Sequence, residues 1–579
     1  LAINSRGTQV DLYMIERGNT GKSYSAVWQA EAHQGTDFWS VEVALPFAAL
    51  FHRPSERWNK NWVFSLSRTR TPSLRYYSQY SPGNKYHDTD SFGTLGPIAI
   101  DRSRFNLYAE SPAFRLTPAE AGFDVAATFQ LENRGKKSFS GTAELTVLAE
   151  TPVSIRTDVT LNPLSAITLA FPTMQVPVEG KFPILLEITA TDGTPTLAAR
   201  FDEWLDYQPL TIRLSSPNYR DSIYPTQDIK TVVGSLNASL PLDTIRGKTV
   251  RVSIAGALTQ ARVFTATVAA VETAFEIDVD HLPVGDYTLR AEIVEETKKG
   301  GKASTTVLAE WEQPFRKLPP GAVEARIDGE GNLLIDGAPV FIRGWYGSMN
   351  YIRSNAAFPE SQLPRTTNFM MGASRDVCAE TGLYTLTGVT RMIDETKGKL
   401  DQPIDGDLKA KLREVVARVR DNPSIIGYYI SDEPECRGIS PHYLKTLYEF
   451  LKELDPNRFC MIVSRAPDIY MDACDVMCPH PYLNPQKYDD GSLAFAGYLL
   501  SIRNTMRKGV AANDGSKAMW CMPQTFSYGG PTCRHPNFLE SRWFAYTALA
   551  NGAKGMVPFI FNAYWNHLEN RISMDAVFE

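Results

Sequence analysis

The feature that most constrains this chain is a change in its hydrophobic pattern near residue 320. Before that point, short segments such as 123–129, 142–147 and 250–254 alternate apolar with polar residues and are separated by turn residues. Such alternation predicts half-buried antiparallel strands. After it, short apolar runs alternate with segments of helical period. The sequence therefore predicts all-β sandwiches followed by an α/β domain with parallel strands.

A chain of 579 residues is long enough for several domains. We place boundaries near Asp101, near Pro209 and in the Pro-rich segment 314–321. They divide the chain into a β-sandwich over 1–100, immunoglobulin-like sandwiches over 101–205 and 206–315, and an α/β domain over 321–579.

Apolar runs of the C-terminal part indicate strands buried on both faces. They lie at 340–344, 384–388, 425–430, 459–463, 476–478, 518–522 and 556–561, and 368–371 is a candidate for one more. About 260 residues of alternating strand and helix fit a closed (β/α)8 TIM barrel, and a doubly wound open sheet is the structural alternative.

In barrels of this kind, the residues that act on a ligand follow the carboxyl ends of the strands. These candidate positions are Arg343, Trp345, Tyr346, Arg391, Asp432, Glu433, Glu435, His480, Tyr482, Gln524, Asn562 and Trp565. They combine aromatic rings, which stack on sugar rings, with carboxylates and amides, which bind hydroxyl groups. A carbohydrate ligand fits this set, and we expect Glu433 and Asp432 to be catalytic and the others to bind substrate.

The sharpest signal is the acidic cluster of Asp432, Glu433 and Glu435 directly after the apolar run 425–430. Burial and like-charge neighbours would raise the pKa of one carboxyl group and make it a proton donor near neutral pH. A solvated loop of ordinary acids is the alternative.

The run IGYYISDEP at 426–434 resembles the fourth-strand motif of clan A glycoside hydrolases, of the family 42 and family 5 kind, which usually ends Asn-Glu-Pro. The run LLIDGAPVFIRG at 333–344 is similar to the entry into these barrels, and GAKGM at 552–556 to their last helix-to-strand turn. The resemblance implies that Glu433 is the general acid/base. It also implies that Asp432 stands where the family's Asn holds the sugar 2-hydroxyl.

One departure from that family concerns the end of strand seven, where clan A enzymes carry a nucleophilic Glu and this chain has Gln524. An amide cannot form the glycosyl-enzyme ester. Glu435, Asp394 or Glu540 could supply the second carboxylate. Asp432 and Glu433 could instead work by substrate assistance, as in N-acetylhexosaminidases, or Gln524 could be an engineered Glu-to-Gln change.

Two further positions leave alternatives open. His480 and Tyr482 could bind a hydroxyl or orient a carboxylate, whereas His480 before Pro481 could also shape a turn. The seven cysteines include no CxxC pair, so we expect buried free thiols rather than a metal site. Because no HExxH, P-loop, GxSxG or GxGxxG element occurs in a suitable context, no metal or nucleotide cofactor is implied.

The runs 39–47, 62–68 and 77–82 resemble the C-terminal part of a family 9 carbohydrate-binding module that lacks its first strands. Since the chain starts at Leu1 without an initiator Met or a visible signal peptide, we expect a trimmed, extracellular or periplasmic protein. A net charge of -6 argues against a nucleic-acid partner, and no apolar stretch is long enough to predict a membrane span. The oligomeric state is left open.

Two classes of function follow. The first is a glycosidase that acts on a poly- or oligosaccharide, with the substrate-assisted N-acetylhexosaminidase as a variant. The second is a non-catalytic carbohydrate-binding or scaffold protein with a degenerate barrel, which Gln524 keeps open.

Overall fold

The structure is a computed structural model that carries no ligand. It describes residues 27–50, 104–347, 367–482, 493–526 and 536–560, with gaps of one or two residues, and short strands within 2–21, 61–97 and 486–487. Among these residues, no helix has the length and apolar character needed to cross a membrane.

Strands before residue 104 pair as short antiparallel ladders. They are Ala2–Ile3, Gln9–Val10, Tyr13–Glu16, Asn19–Gly21, Gln29–Gln34, Trp39–Ala44, Asn61–Phe64, Ser67–Arg70, Tyr76–Gln79 and Gly93–Pro97. A helix over Phe47–Leu50 packs Ala48 and Ala49 against Ala198 of the next unit.

Residues 104–205 form two antiparallel sheets that share one apolar core. The first sheet contains Leu107–Ala109, Ala113–Ala119, Gly122–Asn133, Ser165–Ala170 and Met174–Val176, and the second contains Phe139–Val147, Val153–Leu161, Gly180–Ala190 and Pro195–Leu205. Alternation along Gly122–Asn133 directs Val125, Ala127, Phe129 and Leu131 into the core, as expected for a sandwich face.

Residues 210–317 form a second sandwich-like unit around a separate core. One sheet contains Leu210–Ser216, Thr231–Ala238 and Glu272–Asp278, and the other contains Ser222–Ile223, Thr249–Gly256, Thr259–Thr267, Gly285–Lys299 and Lys302–Lys317. A short helix, Leu242–Ile245, links the two sheets. The chain then forms a small sheet of Ala325–Ile327, Leu333–Ile335 and Ala338–Pro339.

The C-terminal part holds eight parallel strands among the described residues. They are β1 (Ile342–Tyr346), β2 (Phe369–Met371), β3 (Thr385–Gly388), β4 (Ile425–Asp432), β5 (Phe459–Val463), β6 (Val476–Cys478), β7 (Ala518–Met519) and β8 (Gly555–Met556). Parallel ladders join β1 to β2, β3 through β7 in order, and β8 to β1. Parallel bridges join Phe369 to Tyr384 beside β3, and Cys521 beside β7 to Met556. The pairings therefore return to β1, and we call this set the strand ring.

Helices follow most of these strands. They are α1 (Arg375–Thr381), α2 (Glu395–Gly398), α3 (Gly406–Val419), α4 (Pro434–Arg437), α5 (Pro441–Leu454), α6 (Pro467–Tyr470), α7 (Phe495–Ala512) and α8 (Phe538–Ala550), with 3-10 turns at Thr390–Met392 and Met471–Ala473. A hairpin of Gln486–Lys487 and Leu493–Ala494 precedes α7. Ser440 caps α5 by accepting from the Tyr443 N–H, with Pro441 at the first helical position.

Side chains of the strand ring divide into an inner and an outer layer. In β4, Ile426 and Tyr429 belong to the inner cluster, with Trp520, whereas Tyr428 and Ile430 belong to the outer cluster under the helices. Alternation places Tyr428 and Tyr429 in opposite layers, and the register shift that leaves Ile426 as an extra residue in the β3–β4 pairing lets Ile426 and Tyr429 share the inner layer. The inner cluster also includes apolar residues of the small sheet, which close it from the amino ends of the strands.

A buried ion pair connects the second sandwich-like unit to the amino end of the strand ring. Arg220 donates to both carboxylate oxygens of Asp475, at 2.6 and 3.2 Å, and their side chains are 2% and 1% exposed. Asp475 directly precedes β6 and also accepts from the Tyr448 hydroxyl at 2.9 Å and the Cys460 N–H at 2.8 Å. Burial raises the pKa of Asp475, but Arg220 and then Lys517 outweigh it, so this pKa lies below its ordinary value.

Candidate active site

Glu433 follows β4 directly and has a backbone conformation that L-amino acids rarely adopt. Its φ is 41° and its ψ 55°, in the left-handed region, where the Cβ atom crowds the backbone. Its N–H donates to the Val463 carbonyl at the end of β5, 2.9 Å away, and Pro434 begins α4 immediately after it. These neighbours hold Glu433 in a strained turn, as is common at functional sites.

The Glu433 side chain is 36% exposed and lies between two nitrogen-bearing groups. Its Oε1 is 3.4 Å from Arg465 Nη2 and 3.3 Å from His480 Nε2. Burial raises the pKa of Glu433, Arg465 opposes this rise, and Asp432 and Glu435 add to it, so that the pKa lies above its ordinary value. A carboxyl group in this state keeps its proton to higher pH than a free glutamate and can donate it.

His480 is 1% exposed and lies against the Glu433 carboxyl group. Burial and then the charge of Arg465 lower the pKa of His480 to about 3, so the imidazole is neutral near pH 7. Neither ring nitrogen has hydrogen-bond geometry to a described residue. Buried polar groups are nearly always hydrogen-bonded in folded proteins, so this ring has donor and acceptor capacity that a ligand can use.

Asp432 is the last residue of β4 and has a different environment from Glu433. Burial raises the pKa of Asp432, while the Tyr429 hydroxyl and Arg437 act in the opposite direction. Burial and then the Asp432 charge raise the pKa of both Tyr346 and Tyr429. Asp432 therefore lies close to the phenol of Tyr346 at the carboxyl end of β1. The two adjacent acids thus face different neighbours.

Glu435 uses both carboxylate oxygens to hold the segment after β5. It accepts from the Ser464 hydroxyl at 2.7 Å and from the Arg465 N–H at 2.8 Å. The Arg465 guanidinium also lies 3.4 Å from the Cys436 sulfur. Glu435 therefore fixes the backbone that carries Arg465, which in turn contacts Glu433.

An aromatic cluster lies beside these acids. The Tyr346 and Phe559 ring centres are 4.9 Å apart, and Tyr482 is 4.9 Å from both Phe526 and His480. Phe526 and Phe559 meet edge to face at 5.4 Å. Sequence reasoning missed both phenylalanines, although Phe526 lies two residues after Gln524 and Phe559 lies in the predicted last strand. The cluster provides apolar ring surface next to the carboxyl groups.

Gln524 lies after β7, at the same end of the strand ring as Glu433. It is 1% exposed, its Nε2 donates to the Phe526 carbonyl at 2.8 Å, and its backbone bridges to Phe559. The carboxamide thus helps to shape the turn that presents Phe526.

The other two acids considered as a second carboxylate cap helices. Asp394 accepts from the Thr396 and Lys397 N–H groups at the start of α2. Glu540 forms a capping box with Asn537 at the start of α8. Both side chains have local backbone partners, which explains why acids occur at these positions.

The remaining predicted residues lie in three different places. Arg391 is exposed, and its charge lowers the pKa of Tyr346. It therefore lies at the carboxyl end of the strand ring, as Tyr346 does. In β1, Ile342 and Tyr346 belong to the inner layer and Arg343 and Trp345 lie at the alternate positions, and the binding of substrate by these two residues stays a prediction. Arg343 is exposed near the amino end of β1, and Trp345 is 1% exposed. Asn562 and Trp565 lie outside the described residues.

Within the described part of the chain, no group of three or more His, Cys, Asp or Glu side chains could hold a metal ion. The six cysteines described there are free thiols, and all but the half-buried Cys436 are buried.

The sequence matches no protein-family model. It also matches none of the curated proteins. Similarity to solved structures is found at low identity. A family 2 β-galacturonidase from Eisenbergiella tayi, bound to galacturonate, is 12% identical with a TM-score of 0.31, and the alignment covers 81% of this chain and 97% of that enzyme.

Two further similar structures are β-glucuronidases. That of Bacteroides uniformis, covalently bound to cyclophellitol-6-carboxylate aziridine, is 13% identical with a TM-score of 0.31, and coverage is 86% of this chain and 65% of that enzyme. That of Parabacteroides merdae, with glycerol in its active site, is 12% identical with a TM-score of 0.28, and coverage is 76% and 62%. The chain spans less than two thirds of the length of these two enzymes.

Proposed function

We propose that this chain is a glycosidase, that its strand ring is a (β/α)8 barrel, and that Glu433 is its general acid/base. The observation that carries the proposal is the position and state of Glu433. It lies at the carboxyl end of β4, is half-buried, has a raised pKa and adjoins aromatic rings. Catalytic residues of barrel enzymes lie at this end of the strands.

In this proposal, protonated Glu433 donates its proton to the glycosidic oxygen as the bond between that oxygen and the anomeric carbon breaks. The carboxylate that remains lies 3.4 Å from the Arg465 guanidinium, whose charge stabilises it. His480, neutral and 3.3 Å from the same oxygen, can hydrogen-bond either the carboxyl group or a sugar hydroxyl. Arg465 was not among the residues that the sequence indicated.

Sugar binding is assigned to the aromatic and polar groups around Glu433. The Tyr346 and Tyr482 rings supply flat apolar surface and hydroxyl groups. Arg391 at the rim and the Gln524 amide supply hydrogen-bond donors. Glu435 is instead a positioning residue, because both of its oxygens bind the segment after β5.

The second catalytic group decides between two mechanisms. Within the described residues, Glu435, Asp394 and Glu540 all have local partners, and Gln524 is an amide. Asp432 is half-buried at the end of β4, directly before Glu433, and its pKa is raised by burial although the Tyr429 hydroxyl and Arg437 oppose this rise. This favours a second candidate function, the substrate-assisted cleavage of 2-acetamido sugars.

In that reaction, the substrate's acetamido carbonyl oxygen bonds to the anomeric carbon while the bond to the leaving oxygen breaks and Glu433 protonates that oxygen. Asp432 holds the acetamido N–H. The new bond between the acetamido oxygen and the anomeric carbon closes a second ring. Water, deprotonated by the Glu433 carboxylate, then attacks the anomeric carbon, and that bond to the acetamido oxygen breaks. A carboxylate nucleophile is not needed in this mechanism.

The test is a screen of poly- and oligosaccharides for released reducing ends, followed by Glu433→Gln on the substrate found. We expect a loss in kcat of about 10²–10⁴-fold, because general acid catalysis supplies that much. Glu449→Gln, which changes an exposed Glu on α5, is the matched control and should retain full activity. Unchanged turnover in Glu433→Gln would show that the acid/base is a different residue. Sugar binding without turnover would instead support a carbohydrate-binding scaffold.

The two mechanisms are separated by paired aryl glycosides that differ only in a 2-acetamido or 2-hydroxyl group. Substrate assistance predicts turnover of the acetamido member alone and a large loss of kcat in Asp432→Asn. Comparable turnover of the 2-hydroxyl member would contradict it and point to a carboxylate outside the described residues.

The same proposal assigns roles to the rest of the chain. Residues 321–579 are the catalytic domain, 101–205 and 206–315 are immunoglobulin-like domains that position it, and 1–100 are similar to a carbohydrate-binding module. A polysaccharide substrate would fit an extracellular or periplasmic enzyme. Limited proteolysis with mass spectrometry of the fragments tests the boundaries, which should lie near residues 100, 207 and 318.

A further inference from the structure

A cavity with several charged residues in its wall lies between the second sandwich-like unit and the amino end of the strand ring, opposite the candidate active site. Its volume is about 670 Å³. One wall comes from Leu210–Ser216, Thr231–Ala238 and the turn that holds Arg220 and Asp221. The other wall comes from α5, Asp475 and the residues just before β7. A cavity of this size is in the range of small-molecule sites.

Three cationic groups converge on one aromatic ring in this cavity. The Lys517 ammonium, the Arg220 guanidinium and the Lys452 ammonium lie 4.9, 5.8 and 6.0 Å from the centre of the Tyr448 ring. Lys517 also approaches the Tyr448 hydroxyl at 3.4 Å. Cations are attracted to ring faces, but such contacts contribute only about 0.5–2 kcal/mol and do not neutralise charge.

The charges in the cavity are unequally compensated. Arg220 is neutralised by Asp475 in the buried ion pair. Lys452 and Lys517 have no carboxylate within 4 Å among the described residues, and Asp221 is the remaining acid in the cavity wall. Burial lowers the pKa of Lys452, and the charge of Asp221 partly opposes this decrease. Two ammonium groups therefore face one carboxylate, so the cavity carries excess positive charge.

We propose that this cavity is a binding site for a small anion with a carboxylate or phosphate group, held by Lys452 and Lys517. Both lysines come from the strand-ring side, whereas the facing wall belongs to the sandwich-like unit. A bound anion would compensate the excess positive charge of these half-buried lysines and contact both walls at once. It would therefore stabilise the junction between the two units, as any ligand specific to the folded state does.

The site is separate from the proposed catalytic centre. Asp475 and Lys517 directly precede β6 and β7, so the cavity lies at the amino ends of strands whose carboxyl ends carry His480 and Gln524. Its ligand need not be the substrate, and binding can be measured without turnover.

The test is isothermal titration calorimetry and thermal unfolding of the full chain with inorganic phosphate and with glucuronate, and with glucose as the neutral probe. We expect saturable binding of at least one anion and a rise in Tm with its concentration, and no binding of glucose at this cavity. Phosphate tests whether the site binds a phosphate group, and glucuronate tests whether it binds a carboxylate.

Lys452→Met and Lys517→Met should each weaken the anion affinity about tenfold or more, because each removes a charged hydrogen-bond donor. Lys445→Met changes an exposed lysine on α5, the helix that carries Lys452. It is the matched control and should bind the anion as the wild type does. Since methionine keeps the length of the side chain, folding can be verified by circular dichroism. Failure of both anions to bind, or equal binding in all three variants, would overturn the proposal.

Discussion

Two carboxyl groups at opposite ends of the strand ring form arginine pairs with opposite properties. Asp475 at the amino end is 1% exposed and accepts hydrogen bonds from Arg220, Tyr448 and Cys460. Glu433 at the carboxyl end is 36% exposed and has one long contact to Arg465. The pKa of Asp475 lies below its ordinary value and that of Glu433 above it. Burial raises both pKa values, and the neighbouring charges decide the outcome, because Arg220 and Lys517 outweigh burial at Asp475 whereas Asp432 and Glu435 add to it at Glu433.

The difference separates a structural role from a chemical one. An acid that is always charged and fully hydrogen-bonded can join two units of a protein but cannot exchange protons near neutral pH. An acid that accepts few hydrogen bonds can exchange protons near neutral pH. The protein loses little stability when the charge of such an acid changes. The predictions below test this contrast.

The largest effect should come from Arg220→Met. It leaves the Asp475 carboxylate buried without its main partner, which costs about 3–5 kcal/mol for a pair of this type. Chemical denaturation should show the unit that contains the strand ring unfolding at a lower urea concentration. The pH dependence of activity should stay the same, because Arg220 contacts the amino end of the strand ring whereas Glu433 lies at the carboxyl end.

The double variant Arg220→Met, Asp475→Leu provides the control for that prediction. If the cost arises from the unpaired charge, removing both partners should restore part of the lost stability. A double variant less stable than Arg220→Met would show that packing, rather than charge, dominates at this junction.

The next effect is a loss of stability in acid. Because the folded pKa of Asp475 is lowered, its contribution is complete above the unfolded value, near 3.9, and falls as pH drops through the folded pKa. The difference in unfolding free energy between wild type and Asp475→Asn should therefore be constant from pH 5 to 7 and shrink below about pH 4. A constant difference down to pH 2 would contradict the pairing.

Arg465→Gln tests the other carboxyl group. Since Arg465 opposes the rise in the Glu433 pKa, its loss should raise that pKa further. The alkaline limb of kcat/KM, where Glu433 loses its proton, should move to higher pH. Arg465→Lys should restore much of the wild-type profile. A purely structural role for Arg465 would change the amplitude of the profile but not its position.

The smallest effect is expected for Asp394→Ala. Loss of an N-cap costs about 1 kcal/mol, and α2 is short and at the surface, so the loss of stability should be modest. Activity per folded molecule should stay unchanged. A large loss of kcat would identify Asp394 as the missing second carboxylate after all.

Sequence reasoning located the strands of the ring because each is a short apolar run between helices of clear period. It also predicted that Glu433 directly follows a buried strand, as it does after β4, because the acids follow a continuous apolar run. It did not separate Arg343 and Trp345 from Tyr346, since reading the residues at a strand end ignores which layer each side chain faces. A parity count from the buried Ile342 makes that separation within β1.

Other parts of the site could not have been found from the sequence. Arg465 meets Glu433 only because Glu435 binds the Ser464 hydroxyl and the Arg465 N–H across two strands. Asp475 and Arg220 are 255 positions apart, and no local pattern links them. Such contacts depend on tertiary packing, for which a single sequence carries no periodic signal.

The left-handed backbone of Glu433 has a consequence for how this chain can change over time. Glycine adopts a φ of 41° at little cost, whereas a glutamate there costs about 1–3 kcal/mol. Glu433→Gly should therefore gain stability as it loses the acid. Selection of this protein for heat resistance alone would favour inactive forms, and the glutamate persists only where its chemistry is also selected.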